Sequence, residues 1–267
     1  MINQLLLPDA WNSETVSIVI VGAGGTGSQM ADQIASMQKT LMAIDHPGFE
    51  VRLFDGDEVS ASNVGRQRFT QSDIGLNKAI ILCHRINAFY SLDWVPVPRA
   101  ATMSDLASAD LIITCVDKAG FRAEVGKKRQ KDGQVQIWCD TGNAESSAQV
   151  VLGHRGDAPD GQLRVPNVFD LYPELANMQS EDKQAPSCSA EEAIQRQAWP
   201  INRLVAIAAS DLLWTLFRKG RITHHGAQIQ LDPLSVVPMP IDPDVWAFYG
   251  YTKPAESRKV VTKRRAA

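Results

Sequence analysis

Three glycines stand where a phosphate could be held. The apolar segment 16–21 is typical of a buried strand, and Gly22, Gly24 and Gly27 then complete the pattern G-x-G-x-x-G before a helix predicted at 29–37. The first glycine allows a tight turn, the second lets the backbone approach a phosphate, and the third lets the helix pack closely on the strand. The free N–H groups at the start of the helix face the anion. This pattern predicts a nucleotide site and leaves the identity of the nucleotide open.

A carboxylate suited to the hydroxyls of a ribose ends the next predicted strand, 51–55. Asp55 lies 28 residues past Gly27, whereas the acid of an NAD site lies about 20 residues past the glycines. We attribute the difference to an insertion within the polar stretch 39–50. An NAD(P)-dependent oxidoreductase is therefore compatible with the glycines and Asp55.

The segment after Asp55 carries more amide and cationic side chains than a dinucleotide needs. The candidates for contact with phosphates are Asn63, Arg66, Gln67 and Lys78. A triphosphate must be neutralised, and a positioned Arg and Lys can stabilise charge while an α-phosphate is attacked and pyrophosphate leaves. Asp117, at the end of a strand predicted at 110–117, is placed to hold Mg²⁺ between the phosphates. These residues favour a nucleoside triphosphate over a nicotinamide dinucleotide.

Strands and helices alternate along the chain in the order that brings such groups to one edge of a sheet. Strands are predicted at 16–21, 51–55, 110–117, 136–140 and 148–152, and helices at 29–37 and 78–89. We predict an α/β, Rossmann-like, doubly wound fold with a mainly parallel sheet. Periodicity disappears over 153–186, which predicts a long crossover loop. A helix over 200–219 and a proline-containing segment over 227–241 predict an antiparallel C-terminal part.

Composition narrows the class of protein. Of the 267 residues, 44% are hydrophobic and 21% charged, as in soluble globular proteins, and a net charge of -3 argues against a nucleic-acid or membrane-surface binder. No uncharged apolar run is long enough to span a membrane, and we expect no signal peptide and a cytoplasmic location. The four cysteines include no Cys-x-x-Cys pair and the five histidines have no ligand spacing. We therefore predict no zinc and interpret His224-His225 as a turn.

Four motifs follow one another between residues 17 and 117: G-x-G-G-x-G-S, D-x-D-x-V-x-x-S-N-x-x-R-Q, G-x-x-K-A and a strand ending in Asp. As an ordered set they resemble the ThiF/MoeB/ubiquitin-activating-enzyme superfamily. With the chain length and the residues Asp-Thr-Gly-Asn at 140–143, the sequence looks most like the ThiF-family proteins of plasmid-associated PRTRC gene systems. The resemblance implies a homodimeric, ATP-dependent enzyme. Such an enzyme adenylates the C-terminal glycine carboxylate of a small ubiquitin-like or sulfur-carrier protein.

The resemblance also implies a role for each matching residue. The residues expected to bind the nucleotide are Gly22, Gly24, Gly25, Gly27, Asp55, Asp57, Asn63, Arg66, Gln67 and Lys78. Those expected to take part in catalysis are Arg66, Lys78, Asp117 and Cys188, with Asp117 also organising Mg²⁺. Structural alternatives exist for three positions: Asp57 could cap the following turn, Asn63 could be an ordinary turn residue, and Arg68 could be only a surface charge.

Cys188 is the cysteine whose surroundings favour chemistry. The sequence Ser-Ala-Glu-Glu at 189–192 is a capping-box pattern, so Cys188 is predicted just before a helix N-terminus, where the dipole favours the thiolate. In some members of the superfamily the adenylated carrier passes to a cysteine, and in others the adenylate is the product. Cys188 is therefore either a thioester-forming nucleophile or an inert loop residue. Cys83, Cys115 and Cys139 are predicted to be core residues.

These predictions divide the chain into four parts: a nucleotide-binding adenylation core at 1–152, a crossover loop with Cys188 at 153–198, a dimer helix with C-terminal strands at 199–251, and a basic disordered tail at 252–267. Relatives in the adenylating dimer use an arginine from the partner's N-terminal segment, and residues 1–15 contain no Arg or Lys. A nucleotide-binding scaffold without catalysis is therefore a second alternative beside the NAD(P)-dependent oxidoreductase.

Overall fold

An eight-stranded sheet organises the computed structural model, which describes residues 3–127, 134–177 and 198–252. The strands in the described ranges are β1 (Leu5–Leu6), β2 (Val16–Val21), β3 (Phe49–Phe54), β4 (Val95–Val97), β5 (Leu111–Thr114), β6 (Ile137–Asn143), β7 (Ser147–His154), β8 (Arg221–Ile222), β9 (His224–Leu231) and β10 (Leu234–Pro240). The α-helices in the same ranges are α1 (Gly25–Met42), α2 (Lys78–Tyr90), α3 (Ala119–Lys127), α4 (Val168–Leu171), α5 (Ile201–Lys219) and α6 (Pro243–Phe248).

The sheet has the strand order β10-β9-β7-β6-β5-β2-β3-β4, and β1 pairs separately with β8. Strands β6, β5, β2, β3 and β4 are parallel. Strands β7, β9 and β10 continue the sheet in antiparallel pairs. Parallel strands are covered on both faces, which explains the nearly continuous apolar run of β2. The structure confirms the predicted Rossmann-like α/β fold, with a mainly parallel sheet and an antiparallel C-terminal part.

The order of the strands creates a crevice between β2 and β5. From β2 the chain adds β3 and β4 on one side, and it then returns to place β5 on the other side of β2. Proteins of this topology bind ligands outside the carboxyl ends of the strands at such a switch point. The loop that begins at Gly22 follows β2, and Asp117 follows β5. The fold therefore brings these two predicted site elements to one crevice.

Helix α1 extends beyond the predicted helix at both ends. It begins at Gly25, inside the glycine pattern, and its 18 residues end at Met42. The insertion that we inferred at 39–50 is therefore wrong, since a long helix followed by a short turn fills the distance to Asp55. Polar residues near the end of α1 lie on its outer side, which is compatible with a helix that buries its other face.

Three other local predictions are wrong. Strand β5 ends at Thr114, so Asp117 lies in the turn before α3 rather than in the strand. His224 and His225 begin β9 instead of forming a turn, because the His225 side chain is buried within the sheet region. The segment 153–186, predicted to be a loop, contains the short helix α4 in its described part.

Helix α5 ends where the sequence predicts. Gly220 follows the last residue of the helix with φ +67°, a left-handed conformation that favours glycine. The inner side of α5 is apolar, with Val205, Leu212 and Leu216 buried, and it packs against α1 and the strands behind the crevice. Within the described ranges, no helix combines the length and apolarity needed to cross a membrane.

Two buried histidines tie the C-terminal part to the sheet in their neutral form. His154 Nδ1 accepts a hydrogen bond of 3.0 Å from the Val165 N–H. His225 Nε2 accepts one of 3.0 Å from the Trp246 indole, and Nδ1 lies 2.9 Å from the Leu152 carbonyl oxygen, to which it donates. Burial lowers the pKa of both imidazoles from 6.5 to about 4.

These histidines make the free energy of unfolding dependent on pH. Above pH 6.5 both are neutral whether the chain is folded or unfolded, so their contribution to stability is complete; between pH 6.5 and 4 the unfolded chain takes up protons that the folded chain does not. We expect a loss on the order of 3 kcal/mol per histidine across that range. Urea unfolding at pH 7, 5.5 and 4.5 measures it. The variant His225→Gln should flatten the dependence, and the exposed His84→Gln should leave it unchanged.

Candidate functional site

The glycine loop is shaped by close contacts at two positions and open at a third. Gly22 has φ +96°, and a Cβ there would lie 2.7 Å from the carbonyl oxygen of Cys115. A Cβ on Gly27 would overlap the carbonyl oxygen of Gly22, so the helix could not pack on the strand. Around Gly24, in contrast, a Cβ would meet nothing within 4 Å. Gly24 thus borders space that a ligand could enter.

This difference leads to opposite expectations for two alanine variants. Gly27→Ala should destabilise the fold by about 2 kcal/mol or more, because the new methyl group overlaps backbone. Gly24→Ala should stay folded and lose affinity for ATP, since its methyl group occupies the approach to the loop. Thermal unfolding and calorimetric titration with ATP separate the two effects. Wild-type ATP affinity in Gly24→Ala would contradict a phosphate at this position.

Asp55 is joined directly to the glycine loop. Its Oδ2 accepts a hydrogen bond of 2.6 Å from the Ala23 N–H, and its Oδ1 accepts one of 2.8 Å from the Asp57 N–H. Burial raises the pKa of the Asp55 carboxyl, while the bond from Ala23 and then that from Asp57 act in the opposite direction. Each oxygen keeps a further lone pair, so the carboxylate could also accept hydrogen bonds from two hydroxyls.

A lysine charge is held at the start of α2. The side chain of Lys78 is only 10% exposed, and its Nζ lies 3.1 Å from Oδ2 of Asp57, whose side chain is 77% exposed. The backbone reinforces this pair, since the Lys78 N–H donates to the Asp57 carbonyl oxygen at 2.9 Å. A cation near a helix N-terminus is unfavourable unless an anion accompanies it. The site therefore holds a positive charge with a solvent-facing counter-charge that a phosphate could replace.

The segment that carries Asn63, Arg66 and Gln67 is a turn held by internal hydrogen bonds. Asn63 is buried, and its Oδ1 accepts a hydrogen bond of 2.9 Å from the Ser60 N–H, which is the turn role considered for it. The Gln67 N–H donates to the Asn63 carbonyl oxygen at 2.9 Å. The buried Gln67 Oε1 has no hydrogen-bond partner among the described residues. Arg66 is half-buried between these two amides. Their contact with a nucleotide stays a prediction.

Arg68 is engaged away from the loop. Its guanidinium forms an ion pair of 3.2 Å with Asp32 on α1, and its backbone N–H donates to the Ser28 hydroxyl. Arg85 donates to the Arg68 carbonyl oxygen at 2.7 Å and pairs with Asp73. These contacts fasten the turn to α1 and α2. Arg68 is therefore a structural charge and serves below as the matched control for Arg66.

Asp117 is the one carboxylate predicted to bind metal. Its side chain is exposed in the turn after β5, and this turn starts beside the glycine loop, where the Cys115 carbonyl oxygen lies close to Gly22. The described residues contain no group of three or more His, Cys, Asp or Glu that could hold a metal ion by themselves. Mg²⁺ commonly takes one or two carboxylates and completes its shell with substrate phosphates and water. The donor set here fits that mode of binding.

An amide cluster next to the loop was not predicted as part of the site. The Thr26 hydroxyl donates to Asn202 Oδ1 at 2.9 Å, and Asn143 Nδ2 donates to the same oxygen at 3.2 Å. A Cβ on Gly25 would lie 2.6 Å from the Asn202 side chain, so this glycine is needed for the contact. The cluster joins the starts of α1 and α5 to the end of β6. An asparagine in the apolar first turn of the 200–219 helix was the available signal.

A buried ion pair beside this cluster was also missed. Arg122 Nε donates to Asp140 Oδ1 at 2.9 Å, and Arg122 Nη2 contacts Asp140 Oδ2. Thr114 donates its hydroxyl proton to the same carboxylate at 2.6 Å. Arg122 and Asn143 line one end of an open groove of about 510 Å³ across β7, β9 and β10. The groove's other polar lining is mostly amide: Gln149, Gln228 and Gln230.

The described cysteines are poor nucleophiles. Burial raises the pKa of the Cys83 and Cys115 thiols to about 12 and that of Cys139 above its usual value. Cys83 and Cys139 are buried, as predicted for core residues, and Cys115 lies just after β5 and is partly covered. Cys188 lies outside the described residues, so the structure does not test its predicted position before a helix.

Comparison with known proteins places the fold. A sequence model described as the ThiF family matches residues 10–238. No curated protein sequence matches the chain. The crystal structure of PaaA is similar with a TM-score of 0.59 at 16% identity, over 85% of this chain and 73% of that one.

Two structures of E. coli MccB are also similar. MccB with MccA has a TM-score of 0.56 at 16% identity, over 92% of this chain and 66% of that one. MccB with ATP has a TM-score of 0.53 at 16% identity, over 87% and 65%. The chain thus spans about two thirds of the length of MccB. At these identities the similarity concerns the fold.

Proposed function

Because the chain belongs to the ThiF family, we propose that it is an adenylyltransferase that uses ATP to activate the C-terminal carboxylate of a small ubiquitin-like or sulfur-carrier protein. The observation that carries the proposal is the union of Asp55, the glycine loop and Lys78 at the crevice between β2 and β5. The structures of MccB with ATP and with MccA support a nucleotide and a second, separate ligand on this fold.

The reaction would join two ligands at the glycine loop. A carboxylate oxygen of the carrier attacks the α-phosphorus of ATP, the bond from that phosphorus to the bridging oxygen breaks, and pyrophosphate leaves. Asp55 would accept the ribose hydroxyls, and the glycine loop would face the phosphates. Arg66 and Lys78 would stabilise the charge that develops on the phosphates as the bond breaks. Mg²⁺ held by Asp117 would neutralise phosphate charge.

An extended peptide fits the surface beside this crevice. The groove across β7, β9 and β10 ends at Arg122 and Asn143, and Asn143 contacts the cluster at Gly25. Amide side chains along the groove can both donate to and accept from a peptide backbone without requiring a charged partner. A carrier tail lying there would direct its C-terminal carboxylate toward the loop.

Carrier-dependent exchange of labelled pyrophosphate into ATP tests the proposal. We expect exchange when a small protein with a C-terminal glycine is added, and none when that protein lacks its last residue. Folded protein that gives no exchange with any ubiquitin-like or sulfur-carrier candidate would contradict adenylation. Binding of ATP without exchange would identify a silent scaffold, and binding of NADH but not ATP would identify an oxidoreductase.

A second step at Cys188 is a separate prediction. The thiolate would attack the acyl adenylate, form a thioester and release AMP. We expect a carrier adduct that is cleaved by reducing thiols, absent from Cys188→Ala while pyrophosphate exchange continues. Denaturing electrophoresis without reductant detects it, and Cys83→Ala is the control because burial raises that thiol's pKa to about 12. An adduct that persists in Cys188→Ala would contradict the assignment.

The remaining predictions concern the context of the reaction. A homodimer, a cytoplasmic location and membership of the PRTRC-associated subgroup are proposed on the sequence resemblance. The absence of zinc is proposed on the absence of Cys-x-x-Cys pairs. Metal analysis of the purified protein and its mass in solution test two of these directly.

A further inference from the structure

The outer face of α5 carries an exposed stripe that mixes apolar and charged side chains. Ile207 is 53% exposed at its centre. Arg203 and Asp211 stand one helical step of four residues on either side, and Trp199 and Trp214 extend the stripe in both directions. Successive members lie within about 40° of Ile207 around the helix near its centre, at the 100° advance of each residue. Exposed large apolar residues on one stripe mark an interaction surface.

The two charges of the stripe have no partner on their own helix. Arg203 and Asp211 are eight residues apart, about 12 Å along the axis, too far for an ion pair. Neither has an opposite charge three or four residues away. Arg203 instead lies over the Trp199 ring at 4.1 Å from the centroid, and Asp211 is exposed.

The arrangement is self-complementary. When two copies of α5 cross antiparallel with the two-fold axis at Ile207, each Arg203 faces Asp211 of the other copy, since the two positions are equally distant from the centre. The same operation places Trp199 near the other copy's position 215, next to Trp214. A two-fold interface needs such a patch, in which residue i meets j and j meets i.

We infer that this stripe is the surface through which two copies of the chain associate, with Ile207 on the two-fold axis and two Arg203–Asp211 pairs across it. The inference rests on the homodimer proposed above and names its contact surface. Asn202, which touches the glycine loop at Gly25, is five residues from Ile207, about 8 Å along the helix. Both nucleotide crevices would therefore flank the interface.

Charge reversal tests the pairing through the mass of the protein in solution. Arg203→Glu and Asp211→Arg each place like charges opposite one another in a homodimer, and each should weaken association at least about tenfold. Mixed in equal amounts, the two variants should associate again. In the mixed dimer the glutamate introduced in one copy faces the arginine introduced in the other, and the second pair across the axis keeps its native charges. Lys219→Glu, on the same helix but about 120° from the stripe, is the matched control.

Light scattering after gel filtration distinguishes the outcomes. A dimeric wild type and control, monomeric single variants and a dimeric mixture support the inference. A wild type that is dimeric together with both single variants overturns the interface and leaves the homodimer standing. Single variants that stay monomeric when mixed overturn the Arg203–Asp211 pairing. A monomeric wild type overturns both the interface and the homodimer, while adenylation is judged independently by pyrophosphate exchange.

Discussion

Replacing Arg66 with methionine is expected to lower the rate of carrier-dependent ATP–pyrophosphate exchange by about 10²–10³-fold, the usual cost of removing one group that stabilises charge in a transition state. Arg66 is half-buried in the hydrogen-bonded turn between Asn63 and Gln67, so its guanidinium is preorganised rather than free in solvent. Preorganised charge contributes more to a transition state than a flexible surface charge does. The loss should fall mainly on kcat, with a smaller change in KM for ATP.

Arg68→Met is the matched control for this prediction. It removes an arginine two residues away that pairs with Asp32 on α1. Exchange should stay within about twofold of wild type, because a half-exposed ion pair contributes little to stability. Unfolding curves of both variants show whether a loss of exchange reflects unfolding. Equal losses in both variants, or an unchanged rate in Arg66→Met, would contradict the proposed role of Arg66.

The largest loss of stability is expected from Asp140→Asn. The substitution keeps the size of the side chain but leaves the buried Arg122 guanidinium without its counter-charge, and breaking a buried pair in this way costs about 3–5 kcal/mol. The hydroxyl of Thr114, which donates to the carboxylate, also loses a charged acceptor. Urea unfolding at pH 7 measures the change.

A double replacement separates the charge from the packing. Arg122→Met combined with Asp140→Asn removes both charges and should recover part of the lost stability, since no uncompensated charge stays buried. Arg68→Met, which breaks a half-exposed pair, should cost less than about 1 kcal/mol. A single Asp140→Asn variant as stable as Arg68→Met would show that the pair contributes no more than a surface contact.

The local chemistry of the loop was predictable because it depends on neighbours in the chain. The glycine spacing indicated a tight turn and a close helix, and the structure shows Gly27 against the Gly22 carbonyl oxygen. The β-branched run of β2 and the glycine after α5 were also sufficient, since strand burial and helix termination are set by adjacent residues. The motifs from Gly22 to Asp117 were enough to indicate the family.

Contacts between distant segments were not predictable in the same way. Asn202, Asn143 and Thr26 meet although they are far apart in the chain, and no local pattern specifies which amides will share one oxygen. The partner of Arg122 and the neutral state of His225 likewise depend on which strands and helices enclose them.

By itself, the sequence determined the order of strands and helices, the glycine loop and the chemical character of the candidate site, because these follow from periodicity and from residues close together in the chain. Only the tertiary structure decided which polar groups surround the loop, which arginine stands apart from it, and which face of α5 is left exposed. The physical reason is that burial and pairing are properties of segments brought together by the sheet, and their energies depend on neighbours that the chain order does not name.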